Sequence, residues 1–180
     1  MKRATIISCL TFLTLSTLAN ALEAKETNIP DAVIAEIKSL ENECRLEESS
    51  TPQSDSNYDY IKRADLNGDG IDDYVIEDGY VPCEAGASFR HGNGGTGVII
   101  FAGTSNGAIK AFDKTVFGIS IEGASSKPVA WVAVGGHYCG QKTFVSRAAA
   151  IRCDRPLIWN ASSKQFNFAP LKKARFPSEL

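Results

Sequence analysis

From Tyr58 to Ala169 the chain is a succession of short segments rich in Val, Ile, Phe, Trp and Tyr, parted by clusters of Gly, Asn, Asp and Ser. That punctuation constrains the fold more than any other feature. Segments of this composition suit pleated, half-buried surfaces, and no helical period separates one from the next. Candidate strands fall at 58–64, 73–78, 97–103, 108–113, 116–122, 129–135, 144–152, 156–160 and 165–169. "SNG" at 105–107 and "NASSK" at 160–164 read as hairpin connections. Strand following strand without crossover helices implies antiparallel pairing, as an open sheet or a sandwich.

A single helix precedes this region. Residues 30–46 place Val33, Ile37, Leu40 and Cys44 on one face of a 3.6-residue period, with Pro30 and Asp31 suited to its start. The expected fold is therefore α+β, mainly antiparallel β (sheet or sandwich), with one N-terminal helix packed on it. Residues 47–57 read as a polar loop.

The first residues carry a targeting pattern. Lys2 and Arg3 lead a short apolar run that ends at Ala19, Asn20 and Ala21, an A-x-A cleavage pattern. We expect residues 1–21 to be a signal peptide and 22–180 a single β-rich domain, periplasmic or secreted. The apolar run falls short of the roughly 18 residues that a membrane anchor needs. Removing Lys2 and Arg3 moves the formal net charge from −2 to −4. That mild acidity disfavours nucleic acid, whose phosphates need a concentrated basic surface.

Four cysteines follow the cleavage point: Cys44, Cys83, Cys139 and Cys153. An even count in an exported chain reads as two disulfides with three possible connectivities. Pairing neighbours in the chain favours Cys44–Cys83 and Cys139–Cys153. The second would close a short loop, worth roughly 3 kcal/mol of chain entropy.

One stretch carries specific chemistry: "DLNGDGIDDYV", residues 65–75. Side-chain oxygens stand at loop positions 1 (Asp65), 3 (Asn67), 5 (Asp69) and 9 (Asp73). Gly70 allows a sharp turn, and Ile71 is placed to offer a backbone carbonyl. Hard oxygen donors at this spacing suit calcium, which takes six to eight of them. Asp72 lies on the opposite phase and is expected to face solvent. Asn and Asp capping a turn through backbone contacts would account for one or two of these positions without an ion.

Position 12 is Ile76, not the bidentate Glu of an EF-hand, and the flanks are strand-like. The run resembles the calcium loops of FG-GAP and VCBS-type repeats, D-x-[DN]-x-D-G-x-x-D followed by an apolar strand. Asp65, Asn67, Asp69, Gly70, Asp73 and the strand "YVI" match. The resemblance implies a loop joining two strands and rigidified by structural calcium. With one copy, it carries over the loop and not the adhesive functions of that family. The layout as a whole is similar to small exported bacterial proteins of unknown function. The matching pieces are Cys44, the loop at 65–70, the glycine-rich 92–97, "HYCG" at 137–140 and the span 159–166. That similarity bears on fold and compartment and supplies no activity.

Other candidates weigh less. His137 two residues before Cys139 suggests a nucleophile and base, but in an oxidising compartment a disulfide is the plainer reading. Zinc on His91, His137, Cys139 and Cys153 lacks paired short spacings. "RHGNGGTG" at 90–97 lacks a P-loop ending and reads as a turn before a strand. Glu77 and Asp78, adjacent on a strand, point to opposite faces and make a poor acid–base pair. Trp131 and Trp159 read as core. No catalytic residue is assigned. The expected role is an exported, disulfide-bonded, calcium-binding, non-enzymatic domain that binds an unknown protein or envelope glycan, one concrete form being an inhibitor or immunity-type envelope protein. The alternative is an envelope hydrolase using the His137/Cys139 region.

Overall fold

The computed structural model describes residues 29–45, 58–86 and 89–177. The expected signal peptide and the whole of the polar loop at 47–57 lie outside them. Helix α1 (Asp31–Glu43) is followed by strands β1 (Lys62–Ala64), β2 (Asp73–Glu77), β3 (Thr96–Thr104), β4 (Gly107–Val116), β5 (Gly118–Glu122), β6 (Val129–Gly135), β7 (Arg152–Asn160) and β8 (Gln165–Phe168). The strands form two four-stranded antiparallel sheets, β1-β2-β3-β4 and β5-β6-β7-β8, each pairing in chain order. The α+β, mainly antiparallel architecture is the one the residue pattern implies. Among the described residues no helix is long and apolar enough to cross a membrane.

Helix, first sheet and second sheet stack as three layers. Val75, Val98, Ile100, Ala111 and Phe112 of the first sheet share one core with Val132, Val134, Leu157 and Phe166 of the second. On the other face of the first sheet, Tyr74, Ile76, Ile99 and Phe101 share a core with Val33, Ile37 and Leu40 of α1. Successive residues of a strand point to opposite faces. The run "VIIFA" in β3 therefore feeds both cores in turn, which is why it is apolar throughout. β6, with one face outward, alternates buried and half-buried positions instead.

A bulge lies where Ile100 pairs with Phe112 and Phe101 with Lys110, leaving Ala111 as the extra residue. It allows the consecutive Ala111 and Phe112 both to enter the core between the sheets. Lys110 reaches back to α1 through an ion pair with Glu36 at 2.8 Å.

Element boundaries differ most from the sequence reading in four places. Pro30 precedes the helix as its N-cap residue, and Cys44 closes it, so α1 is shorter than 30–46. Within the expected strand 58–64 only Lys62–Ala64 is paired, because residues 58–61 form a turn in which the Ile61 N–H donates to the Tyr58 carbonyl. The span 144–151 is not a strand and holds the 3-10 turn Arg147–Ala149. Finally, 152–160 is one strand with Pro156 inside it. Residues 152–156 pair with β6 and 157–160 with β8, so the proline stands where one partner replaces the other.

Candidate functional site

The acidic loop joins β1 to β2 at one end of the first sheet. Its geometry follows from how short polar side chains satisfy a tight turn. Both Asp65 carboxylate oxygens accept backbone N–H bonds, Oδ1 from Gly68 (2.7 Å) and Asp69 (3.0 Å) and Oδ2 from Gly70 (2.8 Å). Asn67 Oδ1 accepts from the Asp69 N–H at 2.9 Å, and Asp69 Oδ1 from the Ile71 N–H at 2.8 Å. Gly68 and Gly70 have φ of 81° and 84°, a region that side chains disfavour, so the sharp turn requires them.

Asp73 ties this loop to the core. Its residue is fully buried, and its carboxylate accepts from Leu66 N–H (2.8 Å), Asn67 N–H (3.1 Å) and, across the sheet, Gly103 N–H (2.9 Å). Burial pushes its carboxyl up from 3.8 to about 6, against the lowering effect of those three donors, and the Asp69 charge adds to the rise. Among the described residues no lysine or arginine forms an ion pair with it. The Asn67 side-chain amide nitrogen stands 3.0 Å from Asp69 Oδ2 and 3.5 Å from Asp73 Oδ1, the partial positive charge shared by those carboxylates. Asp72 is half-buried rather than turned fully to solvent, and Ile71 exposes about a third of its surface.

Two findings bear on calcium. Backbone capping occupies all four side chains, Asp65, Asn67, Asp69 and Asp73, where sequence reasoning credited it with one or two. Among the described residues no three His, Cys, Asp or Glu side chains gather as a metal cluster. The donor chemistry nevertheless fits a hard cation: every donor is oxygen, Asp65 Oδ2, Asn67 Oδ1 and both Asp69 carboxylate oxygens each accept a single bond and keep a second lone pair, and among the described residues Asp73 is an anion buried without a countercharge.

The cysteines pair as Cys44–Cys83 and Cys139–Cys153, with Cα separations of 5.2 and 5.8 Å. Cys139 is therefore oxidised and has no thiolate to offer as a nucleophile. His137 packs on Tyr138, with ring centroids 4.0 Å apart, beside a cleft of about 220 Å³ lined by Phe117, Val134 and Gly135. The zinc grouping is not assembled, since the two sulfurs bond each other and His91 turns to Asp78.

That Asp78–His91 contact is the cluster sequence reasoning missed. Asp78 begins a 3-10 turn after β2 and is buried together with Glu77. Its carboxylate meets His91 Nε2 at 2.6 Å, Thr96 Oγ1 at 3.0 Å and the Gly97 N–H at 2.8 Å. Glu77 pairs with Lys62 at 2.5 Å. Gly97 is required by close approach: a Cβ there would strike the Asp78 carboxylate. Next to His91, the Arg90 guanidinium donates to the carbonyls of Leu40 (2.6 Å), Asp78 (2.8 Å) and Val81 (3.1 Å). The segment read as a plain turn thus fastens the helix to the sheet, and only the glycine density marked it. Trp131 and Trp159, on the central strands of the second sheet, are half-buried rather than core, Trp131 beneath the Arg175 guanidinium.

No protein-family model, curated protein or solved structure matches this chain.

Proposed function

We propose that the chain is an exported, disulfide-bonded, non-enzymatic binding domain whose 65–73 loop takes calcium as a structural cofactor, in the manner of FG-GAP and VCBS-type loops. The observation that carries the calcium reading is Asp73, a fully buried carboxylate raised to about 6 and, among the described residues, paired with no cationic side chain. A divalent ion beside it would supply the missing charge and remove the repulsion from Asp69. Asp65, Asn67, Asp69 and Asp73, with the Ile71 carbonyl, are the groups that would hold it. Calcium would then brace the turn that connects β1 to β2, and its role is to stabilise the fold. Two disulfides favour an oxidising compartment, periplasmic or secreted. The bound partner is a protein or an envelope glycan.

Thermal unfolding in calcium and in EDTA, beside an Asp69→Ala variant, tests the site. Calcium at a hundredfold excess over its dissociation constant should add about 2.7 kcal/mol to the wild type, and the variant should lose most of that gain. An unchanged melting temperature at millimolar calcium would leave the loop an ordinary capped turn.

A further inference from the structure

The segment between Cys139 and Cys153 is a closed loop with a braced neck. The disulfide joins its ends, the Gly136 N–H donates to the Ile151 carbonyl at 2.9 Å, and the Ile151 N–H donates to Gln141 Oε1 at 3.0 Å. Beyond that neck Lys142, Thr143 and Phe144 are exposed, and the Phe144 ring is in solvent over its whole surface. A ring placed so forgoes the stabilisation that a core position would give it. The loop is also charged against the rest of the molecule. It holds Lys142, Arg147 and Arg152 and no carboxylate, in a chain of net charge −2. Gly140 abuts Leu171, which brings the turn Leu171–Lys173, with exposed Lys172 and Lys173, to the base of the same loop.

We infer that this loop is a docking element whose Phe144 enters the carboxylate-lined cleft of a glycan-cleaving hydrolase, with the exposed Lys142, Lys172 and Lys173 facing the acidic groups. Such clefts carry a pair of Asp or Glu side chains flanking the scissile bond, in a groove shaped for rings. Protein interfaces concentrate their energy in a central desolvated aromatic within a polar surround, and the loop presents that arrangement. Closure by the disulfide orders the loop before binding, which lowers the entropy lost on docking. An anionic membrane is the weaker match, because interfacial anchoring draws on a continuous apolar face and this loop offers one uncovered ring. The inference rests on the reading of the chain as an exported binding domain, and it does not require the calcium loop.

The experiment assays the purified chain in calcium against one retaining and one inverting muramidase on suspended peptidoglycan, with phosphatidylglycerol vesicles as a second arm. Inhibition of at least one enzyme, competitive with substrate and weakened by salt, is the expected result. Phe144→Ser should weaken it about thirtyfold or more, and Lys142→Glu should also weaken it, both with unchanged melting temperature. Inhibition that survives Phe144→Ser overturns the inference, as does vesicle binding without inhibition, or inhibition of neither enzyme at about 10 μM, roughly tenfold above a 1 μM dissociation constant at the weak end for a standard-sized interface. Melting in calcium and EDTA runs alongside. A calcium shift without inhibition removes the docking surface alone, and inhibition without a calcium shift removes the calcium reading alone.

Discussion

Asp73 shows how much one side chain can decide. Placed at the first residue of β2, it satisfies three backbone N–H groups from two parts of the chain, and it does so as a buried anion. In EDTA its cost depends on pH. Between pH 3.8 and about 6 the folded chain retains a proton that the unfolded chain has released. The contribution of this group to stability is therefore complete below pH 3.8 and is lost as the pH rises through 6. Asp73→Asn has no such dependence. It also turns an amide nitrogen toward backbone donors, which should cost about 1–3 kcal/mol at neutral pH. The stability gap between wild type and Asp73→Asn in EDTA should widen as pH falls from 7 to 4. Urea titrations at a series of pH values would reveal it, and a constant gap would contradict the raised carboxyl.

At the scale of elements, the helix is held by three different chemistries. Val33, Ile37 and Leu40 bury its apolar face, Cys44 bonds Cys83 beyond β2, and Arg90 takes the Leu40 carbonyl. That carbonyl is one of the last four of the helix, which have no partner within it. Arg155 plays a comparable part in the second sheet, donating to the carbonyls of Tyr138 and Ala169. Both are guanidinium forks that join segments far apart in sequence. Arg90→Ala should cost about 2–3 kcal/mol, since it strands three carbonyls at a partly buried junction. Arg90→Lys should recover only part of that loss, because one ammonium cannot reproduce the planar fork. Equal stability of wild type and Arg90→Ala in urea would show that water replaces the clamp.

For the whole molecule, the decisive feature is that the first sheet belongs to two cores. Val75 and Ile76 are neighbours in β2, yet one packs toward the second sheet and the other toward the helix. Loss of either layer exposes a face of the same strands, so the layers should unfold together. Both tryptophans, Trp131 and Trp159, lie in the second sheet, whereas far-UV circular dichroism also reports the helix. The two signals should give coincident urea transitions. Separate midpoints would mean that the helix and its sulfur bridge detach before the sandwich opens.

The amino-acid sequence by itself determined the class of fold, the helix at 31–43 and most strands, and it favoured, among three connectivities, the two cysteine pairings that form. These depend on local periodicity and chain proximity, which a linear reading contains. It also located Asp65, Asn67, Asp69 and Asp73 together, because a turn assembles residues that are already neighbours. Only the tertiary structure decided which residues of β3 face the helix and which the second sheet, and why Pro156 is tolerated inside β7. It alone brought Asp78 to His91 and Arg90 to Leu40, across 13 and 50 positions of chain. Such contacts have no local pattern, because they exist only after the sheets have closed and a buried charge must find its partner.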